Sequence, residues 1–389
     1  MLLALTASAL ITPREVVSDG VVIVRDGTIE AVGTRAQIEI PVAARVENYE
    51  SGILAPGYID LHIHGGAGHD LMEAAPVATE AVERLLAQHG VTSYLPTTLT
   101  APVDLTLRAL EFLAAEIEAA AADQSRSDRA CPAGIHMEGP FLSHAKRGVH
   151  PPEYLQPASV ELFQRFWEAA RGHIRLLTIA PELPDAAELI SVATRQGITC
   201  SLGHSNALAA EAQAGVAAGA RHATHTFNAM RPLDHREPGI LGVVLGSPEL
   251  YADIIADGVH VEPSVIDMFL RLKGPERAVL ITDALSATGM GEGRFRLGDF
   301  EIDVRGPVCR DLNGTIAGSV LTLDVAVRNI MAFTGWELPA AVRLASLNAA
   351  RSAQLAGRGE LVAGAVADIA VLTPAGEVME TICGGRTTS

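Results

Sequence analysis

Lysine is almost missing from this chain. Of 29 basic residues only Lys146 and Lys273 are lysines, and arginine supplies the rest. Against 46 acidic residues this leaves a formal net charge of −17. Such a surplus argues against general affinity for nucleic acid or anionic membranes, which carry the same sign. An anionic substrate would need a local basic pocket to overcome that field. Cysteine is scarce too. Cys131, Cys200, Cys309 and Cys383 stand far apart and form no CxxC pair, which disfavours a cysteine zinc site and reads as reduced, cytoplasmic thiols. No apolar run reaches the ~18 residues of a membrane span. The apolar start, MLLALTASALITP, has no basic residue before Arg14, so it reads as a buried strand and not as a signal peptide.

What is present is a mosaic of short elements. A chain of 389 residues has room for one large domain and a small one, and 36 glycines and 21 prolines supply many turns. Val21–Arg25 and Thr28–Val32 flank Asp26-Gly27 as a hairpin. Asp368–Leu372 reads as a strand near the other end. Neither end is large enough to fold alone, so residues 1–54 and 358–389 are predicted to pair into one small β-sandwich domain. Between them, eight apolar runs alternate with helix-period stretches: Gly57–His64, Val91–Thr98, Gly134–Gly139, Ile174–Ala180, Ile198–His204, Arg221–Thr226, Leu250–Ala256 and Ala278–Asp283. Intervening helices are expected at Val77–His89, Leu105–Ala122 and Ala207–Ala218, the last capped by Gly219. The pattern predicts an α/β fold, a closed (β/α)8 TIM-type barrel over 55–357. Residues 123–129 read as a polar loop.

The polar residues gather at the ends of these runs. His62 and His64 close the first, Glu138 lies in the third, His204 ends the fifth, His225 lies in the sixth and Asp283 ends the eighth. A barrel brings all such ends to one mouth. His62 and His64, two apart, face the same side of a strand. Histidine nitrogens and a carboxylate suit Zn²⁺ or Fe²⁺. Such a metal makes hydroxide available near neutral pH, and Asp283 is the candidate to carry the proton. Each residue alone has a plainer reading. A strand-end histidine can be only hydrogen-bonded, Glu138 can pair with an arginine, and Asp283 can cap the next segment. Five ligands and an acid on five strand ends outweigh those readings together. His136 and His222 share inward faces with these residues and are expected to support them or fill the core. His89 is expected to end a helix, and His69, His144, His173 and His235 carry no assignment.

Two hydrolase classes on such barrels fit poorly. One needs a lysine at the end of strand four, where this chain has Thr178-Ile179-Ala180-Pro181-Glu182. The other, the deaminases, has a Glu soon after the strand-five His, where this chain has Ser205-Asn206-Ala207-Leu208. A glutamate ligand from strand three remains.

In that class the chain resembles the N-acetylglucosamine-6-phosphate deacetylases. The resemblance runs in order through PGYIDLHIHG (56–65), HMEGPFL (136–142), KRGVHPPEY (146–154), LGHS (202–205), ATHTFNAM (223–230), REPGI (236–240), ADGVHV (256–261), TDA (282–284) and AGSVLTLD (317–324). It implies Glu138, His204 and His225 as metal ligands, Asp283 as the general base, and His150 as the donor to the acetyl carbonyl. It also implies substrate contacts from Val149, Asn228, Ala229, Asp257, Ile316, Ala317 and Gly318. Arg236 and His260 are implied as phosphate ligands, one such basic residue coming from a neighbouring subunit of a homodimer. Retention of His62 and His64 makes a second metal site available, hence one or two Zn or Fe ions per subunit. The implied reaction is hydrolysis of N-acetylglucosamine 6-phosphate to glucosamine 6-phosphate and acetate. The rivals are the N-acetylgalactosamine 6-phosphate reaction and a catalytically silent sugar-phosphate-binding barrel.

Overall fold

The computed structural model describes residues 1–389 except 124–127, 298–299, 313 and 388–389. Most of the anticipated polar loop at 123–129 therefore lies outside the described residues. In chain order, leaving aside the two-residue pieces Gly65–Gly66, His69–Asp70 and Cys131–Pro132, the strands are β1 (Leu2–Ile11), β2 (Val16–Arg25), β3 (Thr28–Thr34) and β4 (Arg45–Pro56), then β5 (Tyr58–Ile63), β6 (Val91–Thr98), β7 (Ile135–Glu138) and β8 (Ile174–Ile179). They continue with β9 (Thr199–Leu202), β10 (His222–Ala223), β11 (Ala252–Ile255) and β12 (Ala278–Ile281). Last come β13 (Gly293–Leu297), β14 (Phe300–Arg305), β15 (Val308–Asp311), β16 (Ile369–Leu372), β17 (Val378–Cys383) and β18 (Arg386–Thr387).

Both chain ends enter one seven-stranded sheet, ordered β18-β17-β16-β4-β1-β2-β3. Its register explains the apolar N-terminus. Leu3 and Leu5 pair with Val24 and Val22 and pack with Leu54, Ile369 and Val371 on one face, while Ala4, Val21 and Ile23 pack with Ile38 and Ile40 on the other. A strand covered on both faces reads as a continuous apolar run, because alternation survives only where one face is wet. The Asp26-Gly27 hairpin forms as expected, with Asp26 and Gly27 both at positive φ.

The parallel strands lie between. β5 to β10 pair in the order β10-β9-β8-β7-β6-β5, a curled sheet, and β11 pairs with β12. Helices follow the strands in turn, beginning with Pro76–Gln88 after β5 and Val103–Ala122 after β6. Backbone bonds cross the gaps between the two sets. Ala223 and Thr226 donate to the carbonyls of Tyr251 and Asp253, at 3.0 and 2.9 Å. Asp283 donates to the His62 carbonyl at 2.9 Å. The α/β class is thus observed. Helix Ala209–Ala218 ends at Gly219, whose φ of 125° suits glycine.

One strand is much shorter than its apolar run. Arg221–Thr226 was expected, and β10 covers His222–Ala223 only. The chain leaves strand geometry because His225, Phe227 and Ala229 all take positive φ. The antiparallel β13–β15 sheet after β12 had no counterpart among the expected elements.

Candidate active site

The candidate metal ligands and the candidate base sit on or just past the C-terminal ends of parallel strands. Glu138 is the last residue of β7; His204 and His225 lie two residues beyond β9 and β10, and Asp283 two beyond β12. His62 is in β5 and His64 follows it. His204, His225 and Asp283 have φ values of 45°, 30° and 51°. Left-handed backbone at non-glycine residues is costly and gathers where function demands a direction. Here it turns the side chains from the strand axis into the mouth.

Glu138 is the hinge of the arrangement. Its Oε1 lies 3.1 Å from both His204 Nε2 and His225 Nε2, which are 3.0 Å from each other. Its Oε2 lies 3.4 Å from His62 Nε2 and 3.2 Å from His64 Nε2, which are 3.2 Å apart. These two triads are the groups of ligand atoms close enough to share an ion among the described residues. A tetrahedral metal with bonds of ~2.0–2.1 Å holds its ligands about 3.3 Å from one another, so both triads have the right edge lengths. His204 adds a second fit. Its Nδ1 donates to the Lys146 carbonyl at 2.9 Å, which leaves Nε2 as the lone-pair nitrogen facing Glu138.

Asp283 closes the group. Its Oδ1 lies 3.3 Å from His64 Nε2 and 3.5 Å from His62 Nε2. Burial alone would raise this carboxyl, but His62 and His64 outweigh it and hold Asp283 below the usual carboxylate range. Asp283 is therefore ionised near neutrality and able to accept a proton. His150 is the opposite case. Burial pushes its imidazole down to about 4. Nδ1 accepts from the Thr100 backbone N–H at 3.3 Å. The neutral ring then carries its proton on Nε2, which lies 3.4 Å from Glu138 Oε2, and that N–H is a donor at the cavity wall.

The cavity has a volume of about 400 Å³. Of the expected substrate residues, Val149, His150, Asn228, Ala229, His260, Ile316 and Gly318 line it. Asp257 stands behind it, gripping His260 Nδ1 at 2.6 Å and accepting from the His260 backbone N–H at 2.8 Å. Ala317 is fully buried and Arg236 is exposed; neither lines the cavity. His136 is engaged on both nitrogens, with Leu61 O at 3.0 Å and Thr178 Oγ1 at 2.7 Å, so it props the floor. His222 meets Ser201 Oγ through Nδ1 at 3.0 Å.

Three supporting residues were not anticipated. Thr100 fixes the His150 ring. Glu182 accepts from Ser205 Oγ at 2.7 Å and Asn206 N at 2.6 Å, shaping the turn after His204. Asp253, whose carboxyl burial pushes well above the usual range, accepts from the His225 backbone N–H. The last had a signal in the sequence: an acid inside the apolar run Leu250–Ala256, where burial requires a partner.

The profile of the Amidohydrolase family matches residues 53–388. A Bacillus subtilis N-acetylglucosamine-6-phosphate deacetylase is 35% identical over 379 residues, 97% of this chain and 95% of that protein. An N-acetylgalactosamine-6-phosphate deacetylase of Escherichia coli O157:H7 is 35% identical over 351 residues, covering 89% of this chain and 88% of its own. Among solved structures, a mutant N-acetyl-D-glucosamine-6-phosphate deacetylase of Mycobacterium smegmatis, in complex with N-acetyl-D-glucosamine-6-phosphate, superposes with a TM-score of 0.92 at 34% identity. That match covers 100% of this chain and 99% of the other.

Proposed function

This chain belongs to the amidohydrolase family, and within it to the N-acetylglucosamine-6-phosphate deacetylases, and from that premise we propose that it hydrolyses N-acetylglucosamine 6-phosphate to glucosamine 6-phosphate and acetate. The observation that carries the reading is Glu138 standing between two histidine pairs with Asp283 in reach of one of them. Glu138 with His204 and His225 would hold one divalent ion, and Glu138 with His62 and His64 a second. Zn²⁺ and Fe²⁺ both suit these donors. A metal there supplies Lewis acidity, which makes water a nucleophile near neutral pH and polarises the acetamide carbonyl.

The residues do the rest. Asp283, ionised, takes the proton of the attacking water. As the tetrahedral carbon collapses and the C–N bond breaks, the same carboxyl returns that proton to the departing amine nitrogen. His150 Nε2–H donates to the carbonyl oxygen as negative charge grows there. Val149, Leu99 and Leu285 give the cavity apolar surface suited to a methyl group. Asn228, Ala229, His260, Ile316 and Gly318 are assigned to the sugar phosphate, with Ala317 and Asp257 acting from behind. Remote binding of the phosphate positions the distant amide.

Other parts of the reading extend the observed fold. We take β5–β12 as one closed (β/α)8 barrel over 55–357; the bonds from Ala223, Thr226 and Asp283 across the two gaps support it. We take 1–54 and 358–389 as the small β-sandwich domain, supported by its separate apolar cluster. Arg236, exposed and away from its own cavity, is assigned to the phosphate of a neighbouring subunit in a homodimer. Among the described residues no helix is long and apolar enough to cross a membrane. The four cysteines, none of them in a disulfide, favour a cytoplasmic setting.

The test is acetate release from N-acetylglucosamine 6-phosphate with metal measured on the same sample. Release that stops on chelation and returns with added metal supports the reaction. Metal-loaded protein that binds the sugar and releases no acetate would leave only the silent barrel. The galactose epimer belongs in the same assay, and faster release from it would reassign the substrate.

A further inference from the structure

The cavity is lined by a lysine that has no ion-pair partner among the described residues. Lys146 lines the wall, and among the described residues its ammonium makes no hydrogen bond or ion pair. The other charged groups there are matched. Glu138 and Asp283 face imidazoles at 3.1–3.5 Å, and His260 faces Asp257 at 2.6 Å. Arg147, next in sequence, is turned to the loop itself, donating to the His150 carbonyl at 2.9 Å. Arg236 does not line this cavity.

The Lys146 backbone is fixed while its side chain is free. Its N–H donates to the Ser143 carbonyl at 3.0 Å, and its own carbonyl accepts from His204 Nδ1 at 2.9 Å. The residue is thus pinned beside a candidate metal ligand. From there a flexible four-carbon stem gives its ammonium reach along the cavity that the residue lines. A chain of net charge −17 repels a phosphate dianion, and two carboxylates line this cavity. An unpaired ammonium with three donors is the complement that such a ligand needs.

We propose that Lys146 is the cation this chain itself contributes to the substrate's phosphate, and so decides between phosphorylated and unphosphorylated amino sugars; the inference rests on the deacetylase reading above. In the complex it neutralises phosphate charge alongside His260.

The experiment compares wild type, Lys146→Met and Lys146→Arg as metal-loaded full chains. Acetate release is measured from N-acetylglucosamine 6-phosphate and from N-acetylglucosamine, and binding of glucosamine 6-phosphate and glucosamine is measured by calorimetry. Lys146→Met is expected to lower the ratio of kcat/KM for the phosphorylated over the unphosphorylated sugar by roughly 10- to 100-fold, mainly through KM, with the binding ratio falling in parallel. Lys146→Arg is expected to keep most of both ratios. An unchanged ratio overturns the inference. So does an equal fall on both sugars, which would place Lys146 at the acetamide or behind His204. Failure of the wild type to release acetate would sink the deacetylase reading separately. The binding ratio then still decides the inference: its loss in Lys146→Met supports the role of Lys146, and its retention overturns it.

Discussion

In the sheet of chain ends, β1 and β2 keep step from Leu2 opposite Arg25 to Ile11 opposite Val16, with Leu3, Leu5 and Leu10 in one apolar cluster. At the mouth of the parallel strands the regularity breaks. β10 is two residues long, and His204, His225, Phe227, Ala229 and Asp283 take left-handed backbone. Buried polar atoms there, such as His62 Nδ1, His64 Nδ1 and His225 Nδ1, have no hydrogen-bond partner among the described residues. The contrast separates two uses of one local geometry. Where burial alone is at stake, as between β1 and β2, period-two pairing is kept. Where side chains must converge on a point, the backbone accepts strain and unpaired polar groups, offset by the surrounding packing.

The sharpest way to break this contrast is at Asp283. Asp283→Asn keeps the shape and removes the base. Turnover should fall by roughly 10²–10⁴-fold, while the thermal midpoint and metal content change little. Near-normal turnover would remove Asp283 from the mechanism. Next comes the metal count. Glu138→Gln touches both triads and should deplete metal at both, whereas His62→Asn with His64→Asn should deplete one and leave the ion at Glu138, His204 and His225. Elemental analysis per chain reads this directly. Full metal retention in the double variant would restrict the site to one ion.

The end sheet should answer oppositely. Leu5 is fully buried among Leu3, Val22 and Leu54. Leu5→Ala should cost about 2–5 kcal/mol of stability, read from the denaturant midpoint, with kcat unchanged at a temperature where the variant is folded. A large fall in kcat without loss of stability would mean that the sheet takes part in the chemistry.

The same contrast explains what was legible in the sequence. The parallel strands announced themselves because buried β-branched runs with turn residues between them have few other solutions. His62 and His64 were legible as a pair because period two places them on one face. Glu138, His204 and His225 required the assumption that strand ends meet, which no local pattern states. Thr100, Glu182 and Asp253 were not legible as supports. Each acts on a residue distant in sequence, so its partner exists only once the chain is folded. The extent of β10 was overestimated for a related reason: Arg221–Thr226 has strand composition, and tertiary demand at His225 overrides it.

The smallest expected effect separates two buried carboxylates that share an electrostatic logic. Like Asp283, Asp324 is opposed by burial and held down by a histidine. His89 Nδ1 lies at 3.0 Å and Arg328 Nη1 at 2.9 Å, and together with Thr322 they bring its carboxyl to about 2. Asp324 lines no part of the cavity, so its pairing should serve stability alone. A carboxyl depressed on folding contributes stability that is present above its unfolded value of ~3.9 and is lost as pH falls through about 2. At an exposure of 10% little solvent screening is expected, and the shift corresponds to about 2 kcal/mol. Asp324→Asn should therefore lower stability by about that amount at pH 6, flatten its decline between pH 4 and pH 2, and leave kcat/KM alone. Equal acid sensitivity in the wild type and the variant would show that His89 and Arg328 do not stabilise this carboxylate, and the parallel with Asp283 would then rest on the mouth alone.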